Sequence, residues 1–393
     1  MLFFPCSIQA LIIKDVHLVG ATKTTKSAIL NWANIKLNKN IDEEELEHIK
    51  EKLMRALQYI LVKVEYFPKE EILQVEIKDK WSIFPVPLIN QSGEYYARGF
   101  LIYENNFLGR LGTFAPGILW TNTGLNGLLY FQEDSFITHR VGLKVLMLHK
   151  SDLTKFKRHG RAQEIFETRF DTVIVTPNYQ KGRHDHKLGP IYINKKVFDK
   201  NQRQLFESER FGLYYRHHYN MFRKLPILFD GLITTYDLFL MPKSLTQLTS
   251  QKIDLLHGGD IQYTYPHFKS FLKLQVHYHY TNNDGYLSPK MLGGQDGHRG
   301  YDKESIAAKE NIGAMIEEKV YLFNQIFLGA FSEYNYIKLI APVHKGMQMR
   351  EITFGANISY FFEKLSVPAI ILEYARNIPD KSHHFHVNIG IRL

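Results

Sequence analysis

The chain has 393 residues and a formal net charge of +9; hydrophobic residues make up 45% of it and aromatic residues 13%, with 23 Tyr and 27 Phe. No run approaches the roughly 20 apolar residues of a membrane helix, which excludes a helical membrane protein but permits a membrane β-barrel, whose strands need an apolar residue only at every second position. The single cysteine, Cys6, excludes an internal disulfide, and the Lys and Arg residues are concentrated on no helix, which argues against a nucleic-acid partner.

Residues 1–10 are apolar and end Ser7-Ile8-Gln9-Ala10, with a small residue where a secretory signal would be cut. They read as a signal-peptide remnant. Leu11–Val19 reads as a strand ending at the turn residue Gly20. Thr24 or Thr25 caps a helix over Lys26–Ala33. Asp42, with Glu45 three positions on, opens a second helix running to about Gln58, in which Ile49, Leu53, Ala56 and Leu57 give a buried stripe. Strands Leu61–Phe67 and Glu71–Lys78 follow, joined at Pro68-Lys69-Glu70. The order β-α-α-β-β over residues 11–80 predicts a small layer of helices on a three-stranded sheet.

Residues 81–94 carry Pro85 and Pro87 and read as a junction. From Tyr95 to Leu393 the period is two almost throughout. Leu272, Leu274, Val276, Tyr278 and Tyr280 alternate with Lys273, Gln275, His277 and His279. Ile352, Phe354, Ala356, Ile358 and Tyr360 alternate with Glu351, Thr353, Gly355, Asn357 and Ser359. At the end, Phe385, Val387, Ile389, Ile391 and Leu393 fall on one face and His384, His386, Asn388, Gly390 and Arg392 on the other. Tyr and Phe recur at strand ends, as in the aromatic girdles of a membrane barrel. Turns are expected at Gly109-Arg110-Leu111-Gly112, Asn122-Thr123-Gly124 and Glu133-Asp134-Ser135. The segment 95–393 holds about 16 antiparallel strands.

Residues 11–80 resemble a POTRA domain, through Ile13, Val16 and Gly20, through Leu46, Leu53 and Leu57, and through Val62-Lys63-Val64. Beyond them, Glu104-Asn105-Asn106-Phe107-Leu108-Gly109, Gly293-Gly294 followed by Arg299-Gly300-Tyr301, Phe331-Ser332-Glu333, and Leu372-Glu373-Tyr374-Ala375-Arg376 before the last strand resemble the outer-membrane assembly and secretion barrels. These are the BamA/TamA-like, bacterial surface antigen superfamily. The resemblance implies an α+β POTRA domain followed by an all-β transmembrane barrel in a bacterial outer membrane, with the POTRA domain in the periplasm. It implies that the loop holding Gly293, Gly294, Arg299, Gly300 and Tyr301 folds back into the lumen. There Arg299 would pair with Glu333, beside Phe331. An Arg fork on a carboxylate is a strong and directional way to pin such a loop. Glu333 stands where the family usually has Asp, His298 where it prefers a small aliphatic residue, and Asn335 where Gly is common.

The function so implied is to insert other polypeptides into the outer membrane or translocate them across it. Unfolded or secreted polypeptides would be clients, outer-membrane lipid the surroundings, and accessory envelope proteins possible partners. A seam is expected between the first and last barrel strands, at Leu101 and Tyr103 against Phe385, Val387 and Ile389. A seam of weak pairing could open as a template for client strands. The alternatives are a passive channel or structural barrel, or a transporter for a separately encoded partner or lipid. Histidine pairs at i, i+2, such as His184 with His186, share a strand face without a carboxylate or Cys at ligand spacing, and no metal is expected. No Gly-x-Ser-x-Gly, Walker or dinucleotide pattern occurs, so neither an enzyme nor a cofactor is expected.

Overall fold

The computed structural model describes residues 11–54, 59–79, 81–92, 95–158, 161–199, 201–221, 223–224, 229–242, 253–282, 290–292, 298–301, 306–323, 325–339, 347–361 and 369–389. It divides into two compact units. One comprises Met1–Pro85 with Ile102–Ala115 and Tyr130–Lys144; the other comprises Val86–Leu101, Pro116–Leu129 and Val145–Leu393.

In the first unit, strand β1 (Asp15–Val19) is followed by helices α1 (Lys26–Ala33) and α2 (Glu43–Met54) and by strands β2 (Tyr59–Phe67) and β3 (Ile72–Asp79). The sheet order is β1-β3-β2, with β3 parallel to β1 and antiparallel to β2. The expected first strand is interrupted. Leu11–Ile12 pairs instead with Asn40–Ile41, and β1 begins at Asp15. Thr25 caps α1 by accepting from the Ala28 amide at 3.3 Å, and Asp42 accepts from the Glu45 amide at 2.7 Å. Leu73, Val75 and Ile77 alternate along β3 and turn one face to Ala28, Ile29, Leu46, Ile49 and Leu53 of the helices. That apolar layer is why the segment folds. Asp79 closes it by accepting from the Thr22 and Lys23 amides at 2.7 and 2.8 Å and from the Thr24 hydroxyl at 2.6 Å.

The remaining strands form a closed barrel. They are β4 (Ile83–Ser92), β5 (Tyr95–Phe107), β6 (Gly112–Thr121), β7 (Gly124–Thr138), β8 (Val141–Arg158), β9 (Arg161–Lys181), β10 (His184–Phe198) and β11 (Gln204–Asn220). Then come β12 (Phe229–Pro242), β13 (Ile253–His267), β14 (Ser270–Thr281), β15 (Ile306–Phe323), β16 (Ile326–Leu339), β17 (Gln348–Phe361), β18 (Ala369–Asn377) and β19 (His383–Ile389). These are sixteen strands, each beside its neighbours in sequence, with β19 returning to β4. Two short pieces, Arg223–Lys224 and Lys290–Leu292, add to β12 and β15.

Two expectations are corrected. Residues 83–92 are not a junction but the first barrel strand, so the barrel begins twelve residues before Tyr95. Val86 and Leu88 are buried while Ile83 and Ile89 are exposed, which is strand alternation. Pro85 and Pro87 lie within this strand. Glu133-Asp134-Ser135 is not a turn but lies inside β7, where Glu133 is buried and paired with Arg110.

The two faces of the wall differ in kind. Glu317, Glu333, Glu351, Thr353, Asn357, Glu373 and His386 are buried, and the residues between them, including Ile316, Ile352, Phe354, Ile358, Leu372, Tyr374 and Phe385, are exposed. A wall with a polar inside and an apolar outside is the pattern of a barrel immersed in lipid, where closure also satisfies every backbone group.

Candidate functional site

The site lies inside the barrel, where the segment His298–Tyr301 is buried among the strands that follow it. Gly293 and Gly294 lie outside the described residues. His298 has φ of 67°, a left-handed turn that sets two successive amides toward one acceptor. That acceptor is Glu333 on β16. Its two carboxylate oxygens accept from the His298 amide at 2.9 Å and from the Arg299 amide at 3.0 Å.

The Arg299 side chain goes elsewhere, which corrects the expected Arg299–Glu333 fork. Its guanidinium donates to Glu317 on β15 at 3.3 and 3.4 Å and to Glu373 on β18 at 3.0 Å. Its face lies over the ring of Phe331, 4.3 Å from the centroid. Turning the backbone to Glu333 points the fork along the lumen, where it reaches carboxylates on two other strands. Asn357 on β17 donates to Glu317 at 2.6 Å, and Lys319 lies 3.7 Å from the same carboxylate. Arg299, Glu317, Glu373, Phe331 and Asn357 are buried and Lys319 is half-buried, so the cation and its carboxylates hold one another in place of water.

Five further contacts complete the anchorage. His386 on β19 donates from Nε2 to the Arg299 carbonyl at 2.9 Å. The Tyr301 hydroxyl donates to Asp380, in the turn between β18 and β19, at 2.7 Å. Asn335 donates to Glu333 at 3.0 Å and sits 3.1 Å from His298 Nδ1. His277 on β14 donates to Asn335 at 2.9 Å. Gly300 is required, because a Cβ there would overlap the Thr353 hydroxyl and press on Asn377.

Arg299, Gly300, Tyr301, Phe331 and Glu333 therefore meet in one cluster. Sequence reading missed Glu317, Glu373, His386 and Asp380 as members. His386 carried a signal, as a wet-face residue of the last strand. Glu373 lay in a recognised stretch with no role attached to it. Glu317 is one polar residue in a strand of alternating polarity, and nothing in the sequence separates it from its neighbours.

The seam residues are only partly where they were expected. Val387 pairs with Gln91 and Ile389 with Ile89, so the partner of β19 is β4. Leu101 and Tyr103 lie on β5, the next strand over. Leu101 is fully buried, and Phe385 is exposed on the outer face. The error follows from taking Tyr95 as the start of the barrel. Among the described residues, β4 and β19 pair over Ile89–Ser92 and His386–Ile389.

In the first unit, the β5–β6 turn is bonded to the start of α1. The Thr25 amide donates to the Gly109 carbonyl at 3.0 Å, and Asn106 donates to the Thr24 hydroxyl at 2.9 Å. Leu111 joins the buried layer of the N-terminal segment.

Comparison with known proteins agrees with this geometry. No protein-family model matches the sequence, and no curated protein does. Solved structures match over nearly the whole chain. BamA from Haemophilus ducreyi lacking POTRA domains 1–3 is 13% identical with a TM-score of 0.68, over 97% of this chain and 84% of that one. The fold is BamA-like. CdiB from Acinetobacter baumannii shares it at 11% identity and a TM-score of 0.69, over 98% of this chain and 74% of that one. CdiB from Escherichia coli does so at 9% identity and a TM-score of 0.56, over 100% and 93%. At these identities the likeness is one of architecture, and the BamA-like barrel is what the chain has in common with them.

Proposed function

We propose that the chain is an outer-membrane protein that handles other polypeptides, inserting them into the membrane or translocating them across it without catalysing a reaction. The observation that carries this reading is a BamA-like barrel that closes by pairing β19, the last described strand, with β4, the first. When such a seam parts, its two strands present backbone donors and acceptors that a client strand could use in place of the lost pairing. In this reading the N-terminal β-α-α-β-β segment is a POTRA domain in the periplasm. It presents a sheet edge, β1 or β2, to an unfolded client. The loop at Arg299 shapes the lumen and braces β15, β16, β18 and β19, so that the wall beside the seam stays ordered when the seam opens.

The test is reconstitution of the full chain into lipid vesicles. An unfolded outer-membrane barrel protein is added, and its folding is followed by the shift between heat-modified and folded bands on a gel. Faster folding than in empty vesicles is expected. If the chain leaves the folding rate unchanged but conducts ions steadily in a planar bilayer, the passive channel replaces this reading.

A further inference from the structure

We propose that His184, His186 and His217 form a binding site for a divalent cation of the zinc class on the outer face of the barrel. The three histidines lie at the hairpin joining β9 to β10 and on the next strand. A two-residue turn, Gly182-Arg183, closes that hairpin, with Gly182 at φ of 60°. The tight turn fixes the register, and the β10–β11 ladder then sets His186 directly opposite His217 and His184 opposite Tyr219. Residues two apart share a strand face, so His184 lies diagonally across from His217 on the same side. That side is the outer one, because Leu188, Phe211 and Leu213, at even spacing along the same strands, are exposed.

The ligand atoms of the three imidazoles all lie within 4.8 Å of one another. His184 Nδ1 and His217 Nε2 are 3.0 Å apart. Two imidazole nitrogens bound tetrahedrally at about 2.0–2.1 Å from a zinc ion sit about 3.3 Å apart, so the spacing of this pair is close to that of two zinc ligands. Tyr215 Oη lies 3.1 Å from His186 Nδ1, and this contact leaves His186 Nε2 as the free ligand atom. A hydrogen bond to the distal nitrogen is what orients a metal-binding histidine. The rings of His184 and His186 are within 11° of parallel, and Tyr219 packs against His184. Three imidazoles, with no carboxylate or thiolate joining them among the described residues, favour zinc, copper or nickel over calcium or magnesium, and they leave a fourth position for water or an external ligand. The i, i+2 spacing of His184 and His186 was visible in the sequence; the third ligand comes from a strand whose register only the fold supplies.

The experiment is calorimetric titration of Zn²⁺ into the detergent-solubilised full chain, with the Cu²⁺ form followed by electron paramagnetic resonance. The wild type is expected to bind one ion in a saturable phase, with nitrogen hyperfine structure on the copper signal. His217→Ala and His184→Gln are each expected to weaken that phase at least roughly tenfold. His257→Ala, which removes an outer-face histidine packed on Tyr278 and Tyr280, should leave it unchanged. Absence of saturable binding, or equal binding by His217→Ala, would overturn the proposal. Equal loss in all three variants would reduce it to general histidine affinity and overturn it as well. Gel heat-modifiability of each variant checks that the barrel is folded.

Discussion

Glu333 holds Arg299 by its backbone amide, at 3.0 Å, while the Arg299 side chain reaches past it to Glu317 and Glu373. One residue thus ties the loop to three strands, with its amide on β16 and its guanidinium on β15 and β18. Its carbonyl adds a fourth, accepting from His386 on β19.

Removing the guanidinium strands two buried carboxylates. Arg299→Ala is expected to lower barrel stability by about 3–5 kcal/mol, the usual cost of leaving buried charge uncompensated. Arg299→Lys should recover little of this, because a single ammonium cannot serve Glu317 and Glu373 as a planar fork does. Urea unfolding in detergent micelles, followed by heat-modifiability, measures both. Wild-type midpoints for the two variants would refute the account of the cluster.

Glu333 should behave differently. Glu333→Ala leaves the amides of His298 and Arg299 without their acceptor, each costing about 1–3 kcal/mol. Glu333→Asp keeps the charge but is one methylene shorter, and it should retain one of the two bonds and fall between wild type and Ala. Glu333→Gln keeps an acceptor oxygen and should also be milder than Ala. The same unfolding assay ranks the three.

Gly300 offers a test of packing alone. Gly300→Ala should destabilise by about 1–3 kcal/mol through overlap with Thr353 and Asn377. Thr353→Ala in the same chain removes the hydroxyl and should recover part of the loss. Additive effects in the double variant would contradict the proposed contact.

The N-terminal segment carries its own pH signature. Burial opposes the charge of Asp79, but hydrogen bonds from Thr24, Lys23 and Thr22 outweigh it and hold the carboxyl below its ordinary value. A depressed carboxylate stabilises the fold fully above the unfolded value of about 3.9, and that contribution is lost as pH falls through the lower, folded value. Hydrogen-exchange protection of the amides from Thr22 to Ala28 in the full chain should therefore drop below about pH 4. In Asp79→Asn, protection should be lower at neutral pH and should lack that step.

The sequence disclosed the alternation of the wall well. The faces of β17 and β19 follow directly from Glu351–Tyr360 and His384–Ile389, because a strand period of two needs no tertiary information. The start of the barrel was hidden, since Pro85 and Pro87 remove backbone donors and look like a break. Strand β4 nonetheless runs through both of them. The partner of Arg299 was hidden for another reason. A carboxylate two residues from Phe331 is an obvious acceptor, but whether it takes the side chain or the backbone depends on the turn at His298, which no spacing rule encodes.

The most direct test of the account is a disulfide across the β4–β19 seam. Asn90 and Asn388 are paired residues, and paired strand positions lie within reach of a disulfide. Asn90→Cys and Asn388→Cys are placed together in a Cys6→Ser chain, oxidised in membranes, and assayed for client folding before and after reductant. The account predicts a folded, heat-modifiable barrel that no longer accelerates client folding when oxidised and regains that activity when reduced. An oxidised protein that works as well as the reduced one would contradict it.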